Sequence, residues 1–284
     1  MRRLHLIEIM DQKWCPDRVR DGITDYLRWF ERFWSSYQPV SPRLKRLKEE
    51  LRSRRIMDLC SGSGGPWENL YIEFDDLKEQ GPTICLTDLY PNIPAFEALQ
   101  NLSSGRICFC PEPISAANVP TELTGLRTMF SAFHHFPPPV ARSILHDAVR
   151  GNQGIAIFEI TRRTLLMVAF MCFSPLLVIF STPFIHPFRW WRLFWTYLVP
   201  AIPFVFSFDA IVSCLRTYSP QELLKLTEEI AVDGYHWESG FQPYGQTSFG
   251  ITYLIGYPAP KRVLYEHCEA GKPSVGDRSG IVLH

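Results

Sequence analysis

At 284 residues the chain is long enough for one large domain or two small ones, and its 29 Lys plus Arg are balanced by 29 Asp plus Glu. That balance excludes the overall basic field that steers proteins to nucleic acid, so no nucleic-acid partner is expected. Eight scattered cysteines, with no paired C-x-x-C units and no histidine cluster at zinc spacing, point to a reduced, metal-free chain.

Arg2, Arg3, Glu8, Asp11, Lys13, Asp17, Arg18 and Arg20 leave the first twenty residues without the apolar run of a signal peptide, which implies a cytosolic catalytic part. Ile23, Tyr26, Leu27, Phe30, Phe33, Trp34 and Tyr37 then recur at steps of three and four, the stripe of an amphipathic helix. Ser41-Pro42 has the form of an N-cap and first helical residue, and predicts a second helix through a basic stretch to Arg55. Strand and helix then alternate: strands at 55–59, 83–87, 106–110, 126–131 and 155–160, with helices from about Trp67, from about Ile93 and over 138–150. Such alternation specifies an α/β, Rossmann-like, doubly wound and mostly parallel sheet. After an interruption of roughly fifty residues, Ser219-Pro220 caps a further helix, and Tyr235–Gln242 and Phe249–Gly256 form two strands suited to an antiparallel edge. The expected organisation is a helical lid over 1–54, a domain over 55–258 interrupted by an insertion at 161–217, and a loose tail over 259–284.

The run Asp58-Leu59-Cys60-Ser61-Gly62-Ser63-Gly64-Gly65 follows a strand and precedes a helix, where glycines let backbone N–H groups approach a ligand. A dinucleotide fingerprint needs a third glycine three residues beyond the second. Trp67 stands there instead. Asp58-x-x-x-Gly62-x-Gly64-Gly65 resembles motif I of the class I S-adenosylmethionine-dependent methyltransferases. The resemblance implies S-adenosylmethionine as cofactor, its amino acid part on the backbone of Gly62, Gly64 and Gly65, with Asp58 ordering the loop. It likewise implies that Asp88, followed by Leu89 at the end of the second strand, accepts hydrogen bonds from the ribose hydroxyls, as an acceptor-only carboxylate can. In the place of the family's adenine-binding acid stand Ser115 and Ala116, a weaker acceptor and a small residue.

After the fourth strand, Phe130-Ser131-Ala132-Phe133-His134-His135 resembles the family's segment beside the reacting methyl, which makes Ser131 a cofactor neighbour and His134 and His135 candidates for a general base. The competing role for one of the histidines is to pack on or cap the next helix. Glu159 ends the fifth strand and either reaches substrate or pairs with Arg162 or Arg163. Methyl transfer is an in-line displacement that depends on alignment, so a base is not obligatory.

Thr164 to Phe188 contains no charged residue, and ~20 apolar residues suffice for a helix to cross a bilayer. The strand before the insertion and the helix after it must share one side of a membrane, so crossings come in even numbers. Two spans would leave Arg189 and Arg192 on the outer side, against the positive-inside bias, and the second apolar run is broken by Pro200 and Pro203. A hairpin dipping into one leaflet, with Trp190, Trp191, Trp195 and Tyr197 near the headgroups, fits better. The alternative is a soluble cap over an apolar substrate pocket. Both favour a hydrophobic small-molecule or lipid acceptor, methylated at the cytosolic face of a membrane. The competing readings are a soluble natural-product methyltransferase and a non-catalytic membrane- or partner-binding module with this fold.

Overall fold

Residues 1–74 and 81–259 are described by the computed structural model. The predicted tail lies, apart from Ala259, outside these residues. Seven strands form one sheet in the order β3-β2-β1-β4-β5-β7-β6. They are β1 (Arg55–Asp58), β2 (Thr83–Leu86), β3 (Ile107–Phe109), β4 (Leu126–Phe130), β5 (Ile155–Glu159), β6 (Tyr235–Pro243) and β7 (Gly250–Pro258). The first five are parallel, whereas β7 runs antiparallel to both β5 and β6. Strand order reverses between β1 and β4, so the crevice above their carboxyl ends is the switch point where doubly wound sheets take ligands.

The central strands β4 and β5 are buried throughout, and alternation along the strands divides the core in two. Ile56, Ala156 and Phe158 face Leu44 and Leu47 of α2 (Ser41–Glu50) and Phe96 and Leu99 of α4 (Ile93–Leu102). Met129, Ile155 and Ile157 face α5 (Pro138–Arg150) and α10 (Pro220–Glu228). Helix α10 begins with the capping box of Ser219 and Glu222.

Two sequence expectations shift at helix ends. Ser41 is already helical (φ −52°, ψ −44°) because a 3₁₀ turn, Gln38–Val40, leads the chain straight into α2. That helix stops at Glu50, short of Arg55, since Arg52 turns left-handed (φ 49°). After the glycine loop, α3 (Trp67–Leu70) is a single turn continued by a 3₁₀ turn, Tyr71–Phe74.

The lid expected over 1–54 divides between two bodies. Tyr37, Val40, Leu44 and Leu47 belong to the sheet's core, whereas α1 (Asp17–Trp34) packs with the insertion. The insertion contains α6 (Leu165–Cys172), α7 (Ser174–Ser181), α8 (Trp190–Leu193), a π-helical turn (Phe194–Leu198) and α9 (Ala201–Arg216). Val19, Ile23 and Tyr26 of α1 meet Val178, Ile202 and Val205. A Cβ on Gly22 would lie 2.4 Å from Ile202 Cδ1, so this glycine sets how closely α1 approaches α9. The predicted stripe on α1 is buried only in its first half: Phe33 and Trp34 are exposed.

Among the described residues no single helix is long and apolar enough to cross a membrane. The two apolar runs fold instead as bent pairs: Leu165–Cys172 with Ser174–Phe184 at 40°, and Trp190–Leu198 with Ala201–Arg216 at 72°.

Candidate active site at the carboxyl edge of the sheet

Asp58 ends β1 with its carboxylate buried and both oxygens hydrogen-bonded. Oδ1 accepts from the Thr128 hydroxyl of β4 and Oδ2 from the Ser61 hydroxyl, each at 2.7 Å. Its backbone carbonyl accepts from the Thr87 hydroxyl at 2.8 Å. Burial raises the Asp58 carboxyl to about 6, against the opposing pull of the Ser61 and Thr128 hydrogen bonds. Asp58, 1% exposed, thus braces the loop from below, out of a ligand's reach.

The loop above it is strongly turned: Cys60, Gly62, Gly64 and Gly65 all have positive φ. Gly64 (φ 104°) is the position that demands glycine twice over, since a Cβ there would lie 2.0 Å from Leu99 Cδ1 on α4. At Gly62 and Gly65 a Cβ would meet nothing within 4 Å, which leaves their backbone open toward the crevice. Trp67 turns away into the core, edge-on to Phe130 with ring centroids 5.7 Å apart.

Asp88, just beyond β2, joins this loop. Its Oδ2 accepts the Gly62 N–H and its Oδ1 the Tyr90 N–H, both at 2.8 Å. A carboxylate offers about four acceptor sites, so each oxygen keeps one for a ligand hydroxyl. Leu89 beside it is 47 % exposed. The chain after β3 returns to the same edge, where Ile114 N–H donates to the Asp88 carbonyl at 2.8 Å. Ser115 follows, exposed, while the Ala116 side chain is buried in the second core layer.

Ser131 (φ 43°) links three segments. Its hydroxyl oxygen accepts from Tyr37 Oη at 2.6 Å and from Ile160 N–H at 3.3 Å, and its N–H donates to the Phe158 carbonyl at 2.8 Å. The two histidines after it have different surroundings. His134 is 3 % exposed, and its Nδ1 lies 2.6 Å from Glu159 Oε2, while Glu159 Oε1 accepts the N–H groups of Phe133 (2.7 Å) and His134 (3.2 Å). The expected pairing of Glu159 with Arg162 or Arg163 is corrected by this geometry. It is too buried to be their surface partner, and its oxygens face the His134 ring and the amides of Phe133 and His134. Arg163 pairs with Glu222 at 2.6 Å, and Arg162 stacks over Phe241.

The residues that sequence reading missed come from the first twelve and from α9. Glu8, 4 % exposed, places Oε1 3.8 Å from His134 Nε2 and Oε2 3.6 Å from His135 Nδ1. Asp11 Oδ2 lies 3.3 Å from His135 Nδ1. Arg216 at the end of α9 contacts Glu8 Oε1 at 3.3 Å and donates to the His135 carbonyl at 2.8 Å. Burial pushes the Glu8 carboxyl above the usual range, opposed by His135 and Arg216. Nothing local in residues 1–12 signals this contact, which spans more than 120 positions.

Among family models and among curated proteins, nothing matches this sequence. Solved structures do align with the chain. An O-methyltransferase family protein from Burkholderia thailandensis is 15% identical, with TM-score 0.46, over 79% of this chain and 57% of its own. The pyocyanin biosynthetic protein PhzM is 13% identical, with TM-score 0.49, over 87% and 60%. The O-methyltransferase NcsB1 from neocarzinostatin biosynthesis, in complex with S-adenosylmethionine and 2-hydroxy-5-methyl naphthoic acid, is 12% identical, with TM-score 0.47, over 85% and 58%. The chain therefore spans about three fifths of the length of these structures.

Proposed function

We propose that the protein transfers a methyl group from S-adenosylmethionine to a hydrophobic acceptor at a membrane surface. The observation that carries this reading is the bond from Gly62 N–H to Asp88 Oδ2, at 2.8 Å, above the reversal of strand order. It joins an open glycine backbone to an acidic acceptor in one continuous edge. The residues fit the cofactor: the backbone at Gly62 and Gly65 has room for its amino acid part, and the free acceptor sites of Asp88 suit a vicinal diol. S-adenosylmethionine, when bound, supplies an electrophilic methyl on a sulfonium. The chain's part is to hold that methyl in line with the acceptor and to exclude water. Ser115 adds a neutral acceptor at the same edge.

The membrane part rests on the insertion. Leu166, Phe170, Phe173, Leu177, Phe180 and Phe184 recur at steps of four and three along α6, α7 and the 3₁₀ turn Thr182–Phe184 that follows, and all are exposed, Phe180 at 72%. Apart from Phe170, whose ring meets Phe249 with centroids 5.3 Å apart, the stripe is turned to solvent. Trp190 and Leu198 are exposed at 77% and 73% on the neighbouring pair. Exposed apolar surface on this scale suits insertion into one leaflet, where a lipid-soluble acceptor also resides.

Calorimetry with S-adenosylmethionine tests the first part. Wild-type protein is expected to bind and Asp88→Ala to lose at least about 100-fold, the cost of removing a carboxylate that would accept from two ligand hydroxyls. No wild-type binding at millimolar cofactor would sink the enzyme reading. Flotation with phospholipid vesicles tests the second: Phe173→Glu with Phe180→Glu is expected to leave the protein in the unbound fraction, and equal flotation of the variant would refute leaflet insertion.

A further inference from the structure

The His134–His135 cluster contains an arrangement that the methyl-transfer reading does not use. Glu159 takes Nδ1 of His134 at 2.6 Å. With the proton on that side, Nε2 carries a lone pair, and it is buried without a hydrogen-bond partner. What it faces is Glu8 Oε1 at 3.8 Å, an acceptor opposite an acceptor. His135 Nδ1 stands 3.6 Å from Glu8 Oε2, with Asp11 Oδ2 at 3.3 Å as its hydrogen-bond partner on the solvent side. The two separations from Glu8 are too long for a proton to bridge as a hydrogen bond. They are close to what a metal ion produces, because two bonds of ~2.0–2.1 Å meeting near the tetrahedral angle hold their donor atoms about 3.4 Å apart.

We propose that Glu8, His134 and His135 form a binding site for a first-row divalent cation of the zinc type, in which Glu159 orients the His134 ligand. One ligand atom from each of the three residues lies within 4.8 Å of the other two. A ligating histidine that gives its second nitrogen to a carboxylate is the usual outer-shell arrangement of such sites, since it fixes the tautomer and raises the basicity of the ligating nitrogen. Two imidazoles and a carboxylate select zinc, cobalt, nickel or iron over magnesium and calcium, which prefer all-oxygen shells.

The charge balance is compatible. Glu8, Asp11 and Glu159 surround the histidines, against the guanidinium groups of Arg216 and of Arg3, which donates to the His134 carbonyl at 3.3 Å. The cluster thus holds one carboxylate in excess. Arg216 and the Ser213 hydroxyl both engage Glu8 Oε1, which leaves Oε2 as the oxygen turned to His135. Asp11, with a side chain 44% exposed, borders the solvent side, where a fourth ligand enters. Because Glu8 belongs to the N-terminal segment and the histidines follow β4, the ion would also clamp that segment to the sheet.

The test uses the full chain, stripped with a chelator and titrated with Co²⁺ and then Zn²⁺, without S-adenosylmethionine, so its outcome is independent of the cofactor reading. One equivalent is expected, with the visible absorption of cobalt in a nitrogen and oxygen shell and no thiolate charge-transfer band. Glu8→Gln and His134→Ala are expected to weaken binding at least about 100-fold, and Glu159→Gln, acting through the ligand, about 10- to 100-fold. If His134→Ala fails to fold by circular dichroism, His135→Asn, at a side chain 33% exposed, takes its place with the same expectation. Zn²⁺ should also slow proteolytic loss of the first twelve residues in the wild type and not in Glu8→Gln. Absence of binding, a thiolate band, or equal affinity in the folded variants would overturn the site.

Discussion

Replacing Gly64 with alanine isolates the contact that seats the glycine loop on α4. The added Cβ would lie 2.0 Å from Leu99 Cδ1, where an ordinary carbon contact is about 3.5–4.0 Å, so one side must retreat by about 1.5–2 Å. Leu99 is 1% exposed and enclosed by the core around Phe96, which leaves the loop as the side that yields. Its φ of 104° adds a strain of about 1–3 kcal/mol for any residue with a side chain. Together with overpacking of about 1–3 kcal/mol, the expected loss of stability is about 2–6 kcal/mol. Leu99→Ala alone should cost about 2–5 kcal/mol through the cavity it opens. In that background the clash is gone, and Gly64→Ala should cost only the backbone strain. Urea unfolding of the wild type, both single variants and the double variant measures the coupling, expected at about 1–3 kcal/mol. If Gly64→Ala costs the same in both backgrounds, close packing of loop on helix is not what the glycine provides. Cofactor affinity should follow the loop, falling in Gly64→Ala and recovering in part in the double variant.

Three further outcomes follow from buried charge. Burial raises Glu31 to about 7 and Asp58 to about 6, so the folded state binds more protons than the unfolded chain between about pH 4 and pH 7, and stability should fall as pH rises through that window. Glu31→Gln should flatten the upper half of the fall, seen as a smaller difference in Tm between pH 5 and pH 8; an unchanged difference would contradict the Glu31 assignment. Arg127 and Asp147 pair at 2.7 Å with both side chains 4% exposed, and Asp147 keeps Arg150 at 2.8 Å as a second partner, so Arg127→Met should cost about 1–3 kcal/mol in urea unfolding by leaving one buried carboxylate oxygen short of its cation. Asp209 accepts the N–H groups of Ile9 (2.6 Å) and Met10 (2.9 Å), so Asp209→Ala should speed hydrogen exchange in the N-terminal segment while leaving the sheet protected.

The sheet was legible because its signals are local. Each parallel strand is a short apolar run beside turn residues, α5 has the predicted bounds Pro138–Arg150, and Ser219 caps α10 as its spacing requires. The glycine loop and Asp88 were legible for the same reason, being tied to the ends of strands. What escaped are contacts that no period encodes. Tyr37 continued the α1 stripe in sequence, yet it leaves the helix after Trp34 and enters the sheet's core to reach Ser131. Glu159 looked equally suited to substrate and to arginine, because a strand-end carboxylate does not reveal which backbone amides will meet it. Glu8 lies in a stretch without periodicity, and only the folded chain brings it to His134.

The helical insertion and the crevice are coupled through that same N-terminal stretch. Leu4 N–H donates to the Leu215 carbonyl, Asp209 holds Ile9 and Met10, and Arg216 reaches both Glu8 and the His135 carbonyl. All three anchors are on α9, whose other end packs on α1 and whose neighbours α6 and α7 carry the exposed apolar stripe. A displacement of α9 when the stripe enters a leaflet would therefore move Glu8 relative to histidines that Glu159 holds on the sheet. Were lipid binding to displace α9 as proposed, lipid affinity and occupancy of the cluster would change each other by the same factor, as linkage requires of two sites coupled through one element.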